Sequence, residues 1–281
     1  MIYFPLLGQM GRLGNQLFQV AAALAHAERC KTELLLPAWP YGKYFAGPWK
    51  EGTAPAETPV FKEPSYNYSS LVTPNSSHSL EGYFQSEKYF SDQEPLIRKT
   101  LAWNKEELQA VHTGVVTDPS RIHIALHVRR GDFLTFADKF PPLPDMYYDQ
   151  ALLVMRNILD AATYLKPPVL RFHVFSDDME WCKQHLDFGI RWGTTIEVVY
   201  HEQRNQYKGI PPEIVDLYLM SHCQHFIIAN SSFSWWGAWL GAGVVPKIVV
   251  SPSHKNWFGP ANGFYNQTQD LLPEKWAQID I

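Results

Sequence analysis

The stretch Ile122-His123-Ile124-Ala125-Leu126-His127-Val128-Arg129-Arg130-Gly131-Asp132-Phe133-Leu134-Thr135 decides the fold. Its first half is a short apolar run, Ile124 to Val128, of the kind that forms a buried strand. Its second half crowds His127, Arg129, Arg130 and Asp132 around Gly131, a residue that tolerates unusual backbone angles. In open α/β sheets the carboxyl ends of strands are where ligands bind. If the strand persists that far, alternation puts His127 and Arg129 on one face and Arg130 on the other. A guanidinium able to bond through two N–H groups, with an imidazole beside it, suits a phosphate or carboxylate.

The chain beyond this stretch alternates. A Pro-rich loop at 138–144 leads to Asp145, which is placed to cap a helix running to about Thr163. Further strands are expected at 169–175, 195–199, 225–228 and 248–250, with helices at 179–186, 213–223 and 233–240 between them. Such alternation implies βαβ units and a parallel sheet. The strand at 169–175 ends in Ser176-Asp177-Asp178, and that at 225–228 ends in Ala229-Asn230-Ser231-Ser232. In a parallel sheet these exits share one edge with residues 127–132. The tail carries Trp257, Phe258, Tyr265 and Trp276 and is expected to pack back.

Upstream, residues 2–7 read as a buried strand, followed by Gly8, Gly11 and Gly14 and an Ala-rich helix over 15–29. A strand, a glycine-rich turn and a helix is the order in which helix N-terminal N–H groups hold a phosphate. The glycine spacing matches neither the dinucleotide fingerprint nor a Walker loop. Arg12, Asn15 and Gln16 add side chains that can reach a ligand. Strands at 33–36 and 80–85 and helices at 91–101 and 104–112 follow. Residues 37–79 are rich in Pro, Gly, Ser, Tyr and Trp with little periodicity, an ordered, irregular surface of the kind that carries function. Gly, Thr, Asp, Pro and Ser at 113–120 mark a boundary. Two domains are therefore expected, 1–118 and 119–281.

Composition narrows the class. The chain has 281 residues, 46% hydrophobic and 19% charged, with net charge −4. That is globular, with no basic field for nucleic acid or an anionic membrane. An anionic ligand must be met by a local cluster. The cysteines, Cys30, Cys182 and Cys223, make no metal spacing and fit a reducing compartment. The N-terminal residues do not read as a signal peptide, and no apolar run reaches membrane-spanning length. Only peripheral association with a membrane stays open, and a cytoplasmic location is expected.

Each polar cluster has a plain structural alternative. Asn230 or Ser231 can simply cap the next helix, but a cap explains one residue and not also Ser232 and Ser234. Asp177 and Asp178 can cap the helix after them, accept hydrogen bonds from a nucleoside, or bind a metal. Asp132 can pair with Arg130 and fix the turn. Asp-x-Asp, a common metal–diphosphate motif, is absent, so neither a metal nor another cofactor is expected.

Four segments together resemble a known family. They are Gly11-Arg12-Leu13-Gly14-Asn15-Gln16-Leu17-Phe18-Gln19, His127-Val128-Arg129-Arg130-Gly131-Asp132, Phe175-Ser176-Asp177-Asp178 and Asn230-Ser231-Ser232-Phe233-Ser234-Trp235-Trp236. In this order they resemble the motifs of the α-1,2-fucosyltransferases, glycosyltransferase family 11. The resemblance implies a GT-B fold, two Rossmann-like α/β domains whose parallel sheets face a cleft. It also implies an inverting enzyme with GDP-β-L-fucose as donor and a galactose 2-hydroxyl as acceptor. Residues 1–118 would then be mainly the acceptor side, and 119–281 would bind GDP-fucose. Family 11 enzymes without a membrane anchor suggest a bacterial source and an oligosaccharide or polysaccharide precursor as acceptor.

The chemistry suits these residues. Fucosyl transfer breaks a C1–O bond to a diphosphate, and a leaving GDP without metal needs arginine and helix N-termini aimed at its growing charge. The resemblance gives Arg129 to the β-phosphate. Arg12, Gly14, Asn15, Gln16, Arg130, Asn230, Ser231, Ser232 and Ser234 would complete the cradle, His127 would orient it, and Asp177 or Asp178 would meet the nucleoside. Inversion needs a base for the acceptor hydroxyl, for which Asp132 is the first candidate and Asp138 the second. Two other readings remain open: a glycosyltransferase with another nucleotide-sugar donor, and a non-catalytic sugar- or nucleotide-binding module.

Overall fold

The computed structural model describes residues 1–71, 76–161, 169–190, 192–202, 206–241, 247–264 and 266–281. Two compact units divide the chain. The first is Met1–Ala110 with Gln267–Pro273, and the second is Val111–Asn266 with Glu274–Ile281. The division thus falls at 110/111 rather than at 118/119, and part of the tail returns to the first unit. Leu271 and Leu272 are buried there. Asp270 accepts the Tyr68 N–H at 2.9 Å and pairs with Lys88 at 2.6 Å.

The first unit holds β1 (Ile2–Tyr3), α1 (Leu13–Arg29), β2 (Leu34–Leu35), β3 (Val60–Lys62), β4 (His78–Glu81) and α2 (Glu94–Thr100). Its sheet runs β2-β1-β4-β3, all parallel. β1 is shorter than expected because Pro5 has no N–H for the ladder, and Phe4 and Leu7 are buried in turns instead. β4 begins earlier than expected and stops at Glu81. Beyond it the N–H groups of Tyr83 and Phe84 are taken by the Glu63 carboxylate at 2.7 and 2.9 Å. Residues 104–112 form turns, not a helix. Asn104 accepts the Glu106 N–H at 3.2 Å, a local bond that competes with helix formation.

The second unit continues with α3 (Gly114–Thr117), β5 (Arg121–Val128), α4 (Gly131–Thr135), α5 (Asp145–Ala161), β6 (Val169–Ser176), α6 (Met179–His185), β7 (Ile196–Tyr200), α7 (Pro212–Met220), β8 (His225–Ile227), α8 (Ser232–Leu240), β9 (Val249–Pro252) and β10 (Ala277–Ile279). All six strands are parallel, in the order β10-β9-β8-β5-β6-β7. Counted from β5, this is the 3-2-1-4-5-6 order of dinucleotide-binding sheets, with its switch point between β5 and β8. The expected helix end at Thr163 lies outside the described residues, as does Tyr265. Trp257, Phe258 and Trp276 are buried, the last against Trp235 at 5.4 Å between centroids.

β5 reads as a continuous apolar run because a parallel sheet is covered on both faces. Ile124, Leu126 and Val128 pack with Leu170, Phe172 and Val174 of β6 against Tyr147, Tyr148, Ala151, Leu152 and Met155 of α5. The opposite face carries a chain of histidines beside buried Ala125 and Phe175. The Asp118 carbonyl lies 2.9 Å from His123 Nε2, His123 Nδ1 is 2.9 Å from His173 Nε2, and His173 Nδ1 is 3.0 Å from His201 Nε2. A carbonyl can only accept, so neutral His123 donates from Nε2 and accepts at Nδ1, and each imidazole in turn donates from Nε2. Burial, followed by the neighbouring His201, His123 and Arg171, pushes the His173 pKa down to about 2.

This arrangement sets a pH dependence. An unfolded histidine titrates near 6.5, whereas His173 stays neutral when folded, so its contribution is present above about pH 6.5 and is lost as pH falls. Relative to the wild type, His173→Gln should show a loss of unfolding free energy between pH 7.5 and pH 5 that is smaller by about 2 kcal/mol. Urea unfolding at the two pH values checks this, and equal losses in both proteins would contradict it.

Candidate active site

The exits of β5 and β6 meet because the two strands pair in register to their ends, with Val128 opposite Ser176. That register carries Arg129 and Arg130 alongside Asp177 and Asp178. Arg129 Nη1 lies 2.7 Å from Asp177 Oδ2, and its Nη2 donates to Asp132 Oδ1. Its guanidinium also sits 5.4 Å over the Phe133 ring. The Arg130 N–H donates to Asp177 Oδ1 at 2.8 Å, its Nε donates to Asp178 Oδ2 at 3.1 Å, and its guanidinium lies 4.3 Å over Trp181. Asp132 therefore pairs with Arg129, not with Arg130 as the turn alone suggested. α4 starts at Gly131 and brings Asp132 back, three residues on, beneath the Arg129 head.

Gly131 is dictated by Asp177. A Cβ on residue 131 would lie 2.6 Å from Asp177 Oδ2 and 3.0 Å from its Cγ. Asp178 has two tasks, since it also caps α6 by accepting the Trp181 N–H at 3.2 Å. Two of the five N–H donors of Arg129 face carboxylates.

Across the switch point lies the exit of β8. Ser231 caps α8, its hydroxyl accepting the Phe233 N–H at 3.3 Å. Ser232 opens that helix and is partly exposed. Asn230 is 2% exposed and ties loops together, donating from Nδ2 to the carbonyls of Pro141, Trp257 and Asn256 at 2.9, 3.2 and 3.4 Å. Ser234 is fully buried, with its hydroxyl 3.3 Å from the Ser231 carbonyl and 3.4 Å from that of Ala229. Of these four candidates, Ser231 and Ser232 stand at the surface, while Asn230 and Ser234 hold them in place. His127 is buried, with its ring 5.4 Å from that of Phe233, so it joins the β5 and β8 exits.

Arg12, Gly14, Asn15 and Gln16 belong to the first unit. Gly8 and Gly11 have φ of +84° and +77°, angles that favour glycine, and a Cβ on Gly11 would lie 2.2 Å from Asn15 Nδ2. Arg12 is exposed just before α1, and Gly14 is buried in its first turn. Asn15 Oδ1 accepts from Gln85 Nε2 at 3.1 Å. Gln16 is an internal brace: Nε2 donates to the Gly11 carbonyl at 3.1 Å, and Oε1 accepts the Trp39 indole N–H at 2.9 Å.

Sequence reasoning missed Phe133, Trp181 and Gln85. Trp181 had a readable signal, because it stands three residues after Asp178, where an N-cap carboxylate bonds. Gln85 had none. Asp138 is exposed in the loop beyond α4, where its carbonyl accepts the Ala261 N–H at 3.0 Å. Among the described residues, no group of three or more His, Cys, Asp and Glu side chains is arranged to hold a metal ion, and no helix is long and apolar enough to cross a membrane.

A Rossmann-ordered parallel sheet with arginines at its switch point belongs to the α/β enzymes that bind anionic ligands at strand ends. The model of glycosyl transferase family 11 matches residues 62–279. An α-1,2-colitosyltransferase of Escherichia coli is 32% identical over 222 residues, spanning 77% of this chain and 68% of that protein. Galactoside α-(1,2)-fucosyltransferase 2 of Oryctolagus cuniculus is 23% identical over 308 residues, 97% of this chain and 76% of the relative. The crystal structure of fucosyltransferase NodZ from Bradyrhizobium superposes with a TM-score of 0.50 at 15% identity, covering 85% and 92% of the two chains. The chain belongs to glycosyl transferase family 11 and is a glycosyltransferase. Its fold is of the GT-B type, two α/β units with parallel sheets.

The close approach at residue 131 makes a direct prediction. Gly131→Ala should push Asp177 away from both arginines. It should destabilise the protein by roughly 1–3 kcal/mol, as overpacking does, and should lower transferase activity far more than that loss of folded protein accounts for. Thermal unfolding and an activity assay on the folded fraction check it.

Proposed function

We propose that the protein is an inverting galactoside α-1,2-L-fucosyltransferase, moving fucose from GDP-β-L-fucose to the 2-hydroxyl of a terminal galactose. The acceptor is an oligosaccharide or polysaccharide precursor. The observation that carries this reading is the Arg129 guanidinium held between Asp132 and Asp177 at the switch point of the sheet. A preorganised cation there stabilises the charge that grows on a departing diphosphate. Membership of family 11 and the name of the rabbit relative support the donor, the linkage and the galactoside acceptor.

In this mechanism Arg129 contacts the β-phosphate, and Arg130 offers the Nη edge of its guanidinium beside it. Ser231 and Ser232 at the head of α8 add polar contacts. His127 keeps the β5 and β8 exits together. Asp178 and Asp177 stand nearest to a nucleoside while holding the arginines. The proton of the acceptor hydroxyl goes to Asp132, with Asp138 the next candidate. Transfer needs no metal, because the arginines and helix N–H groups supply the countercharge.

The test is transfer from GDP-fucose to lactose and β-galactosyl disaccharides, with and without EDTA, followed by linkage analysis. An α-1,2 product formed at the same rate in EDTA is expected, and no product with any β-galactoside would overturn the reading. The colitosyl name of the bacterial relative favours one second donor, a nucleotide-activated colitose, which belongs in the panel with GDP-mannose and UDP-galactose. Binding of GDP without turnover of any donor would instead indicate a non-catalytic module. Arg129→Ala should lower kcat/KM by roughly 10²–10³-fold and weaken GDP binding, since the diphosphate is met in ground and transition states alike. Asp132→Asn should cut transfer by roughly 10²–10⁴-fold while GDP affinity, measured calorimetrically, stays near that of the wild type. Surviving transfer would remove Asp132 as base.

A further inference from the structure

Trp181 lies in none of the segments that resemble the family motifs, yet it is built into the arginine cluster. It is 9% exposed. One contact is to the Arg130 guanidinium, 4.3 Å from the ring centroid. The His185 ring is stacked with it at 4.8 Å and 8° between planes, and Tyr148 meets it edge-on at 5.8 Å. His185 is itself held by Asp145 through Nδ1 at 2.8 Å. The Trp181 N–H donates to the same Asp178 carboxylate that accepts from Arg130 Nε. Backbone, ring and guanidinium thus close a triangle through one aspartate.

This triangle settles the direction of Arg130. A long side chain at a strand exit has many rotamers, and one carboxylate contact through Nε leaves rotation about its last bonds. A π face beneath the guanidinium removes that rotation, because a cation over an indole is attracted most strongly when centred on the ring. With Nε on Asp178 and one face on Trp181, the Nη edge is what Arg130 presents to a ligand. We infer that Trp181 is a positioning residue for the transfer reaction, acting through Arg130 by fixing its Nη edge toward the anionic leaving group. The inference rests on the donor reading given above.

The experiment is a double-mutant cycle in kcat/KM for GDP-fucose, using Trp181→Leu, Trp181→Phe, Arg130→Gln and the combinations, with unfolding midpoints measured in parallel. Trp181→Leu should lower kcat/KM about tenfold, in the range of a partly desolvated cation–π contact, and Trp181→Phe, which keeps a π face, should recover most of that loss. In the Arg130→Gln background, Trp181→Leu should have no further effect on kcat/KM while still lowering the unfolding midpoint. Where the leucine variant does not fold, the cycle is run with Trp181→Phe, whose loss of about two- to threefold must also vanish beside Arg130→Gln. Multiplicative effects of the two substitutions would overturn the inference, as would a phenylalanine variant as poor as the leucine one. An impaired Arg130→Gln with an unaffected Trp181→Leu would overturn it and leave the proposed function standing. Full activity of Arg130→Gln would overturn both the inference and the part assigned to Arg130 in the donor site.

Discussion

The in-register pairing of β5 with β6 is the constraint on which the rest of this site depends. It runs unbroken from Arg121 opposite Val169 to Val128 opposite Ser176, so the next residues of each strand leave side by side. Two adjacent arginines repel each other, and two adjacent aspartates do the same. Set in register they neutralise one another, with Asp177 on the Arg129 guanidinium and the Arg130 backbone N–H, and Asp178 on the Arg130 guanidinium. The guanidiniums are thereby held in fixed directions before any ligand arrives, the condition under which charged groups stabilise a transition state without reorganisation. The pairing also places the Asp177 carboxylate where a Cβ on residue 131 could fit only if that side chain moved.

Both units finish their strands in the same physical way. Backbone N–H groups beyond a strand end have lost their ladder partners and take other acceptors. In the second unit Asp177 takes the Arg130 N–H, and in the first unit Glu63 takes two N–H groups past the end of β4. Burial lifts the Glu63 pKa to about 7 despite those donors. The histidines on one face of the larger sheet follow the same rule. His123, His173 and His201 are satisfied by one another, ordered by one carbonyl, and Glu197 lies between Arg121 and Arg171. Buried polar groups are tolerable only when each finds a partner.

The larger sheet was legible from the chain because its elements are periodic and separated by short turns. The strands β5 to β9 and the helices α6 to α8 fall within a few residues of their expected places, whereas α4 and β10 were not expected, and the family resemblance rests on segments that line the strand exits. The short strands of the first unit were harder to read. Val60–Lys62 pairs with β4 inside a segment without periodicity, and the tail returns to that unit through Asp270 and a pair of leucines. Neither carries a local signal, because what defines each is a partner elsewhere in the chain.

At the site, residue types and spacing by themselves determined that arginine, carboxylate and serine gather at the carboxyl ends of parallel strands. Alternating apolar runs and turn residues suffice for that, since both are local. Only the tertiary structure decided which of these groups reach the surface and which are spent on neighbours. Asn230, Ser234 and Gln16 lie in the motifs but spend their hydrogen bonds on neighbouring backbone and, for Gln16, on Trp39 as well. Trp181 lies outside the motifs and carries Arg130. Asp132 answers to Arg129 because the first turn of α4 brings it back beneath that side chain. The partners of Arg130 stand 47 and 48 residues away, and only strand register brings groups that distant to hydrogen-bonding range.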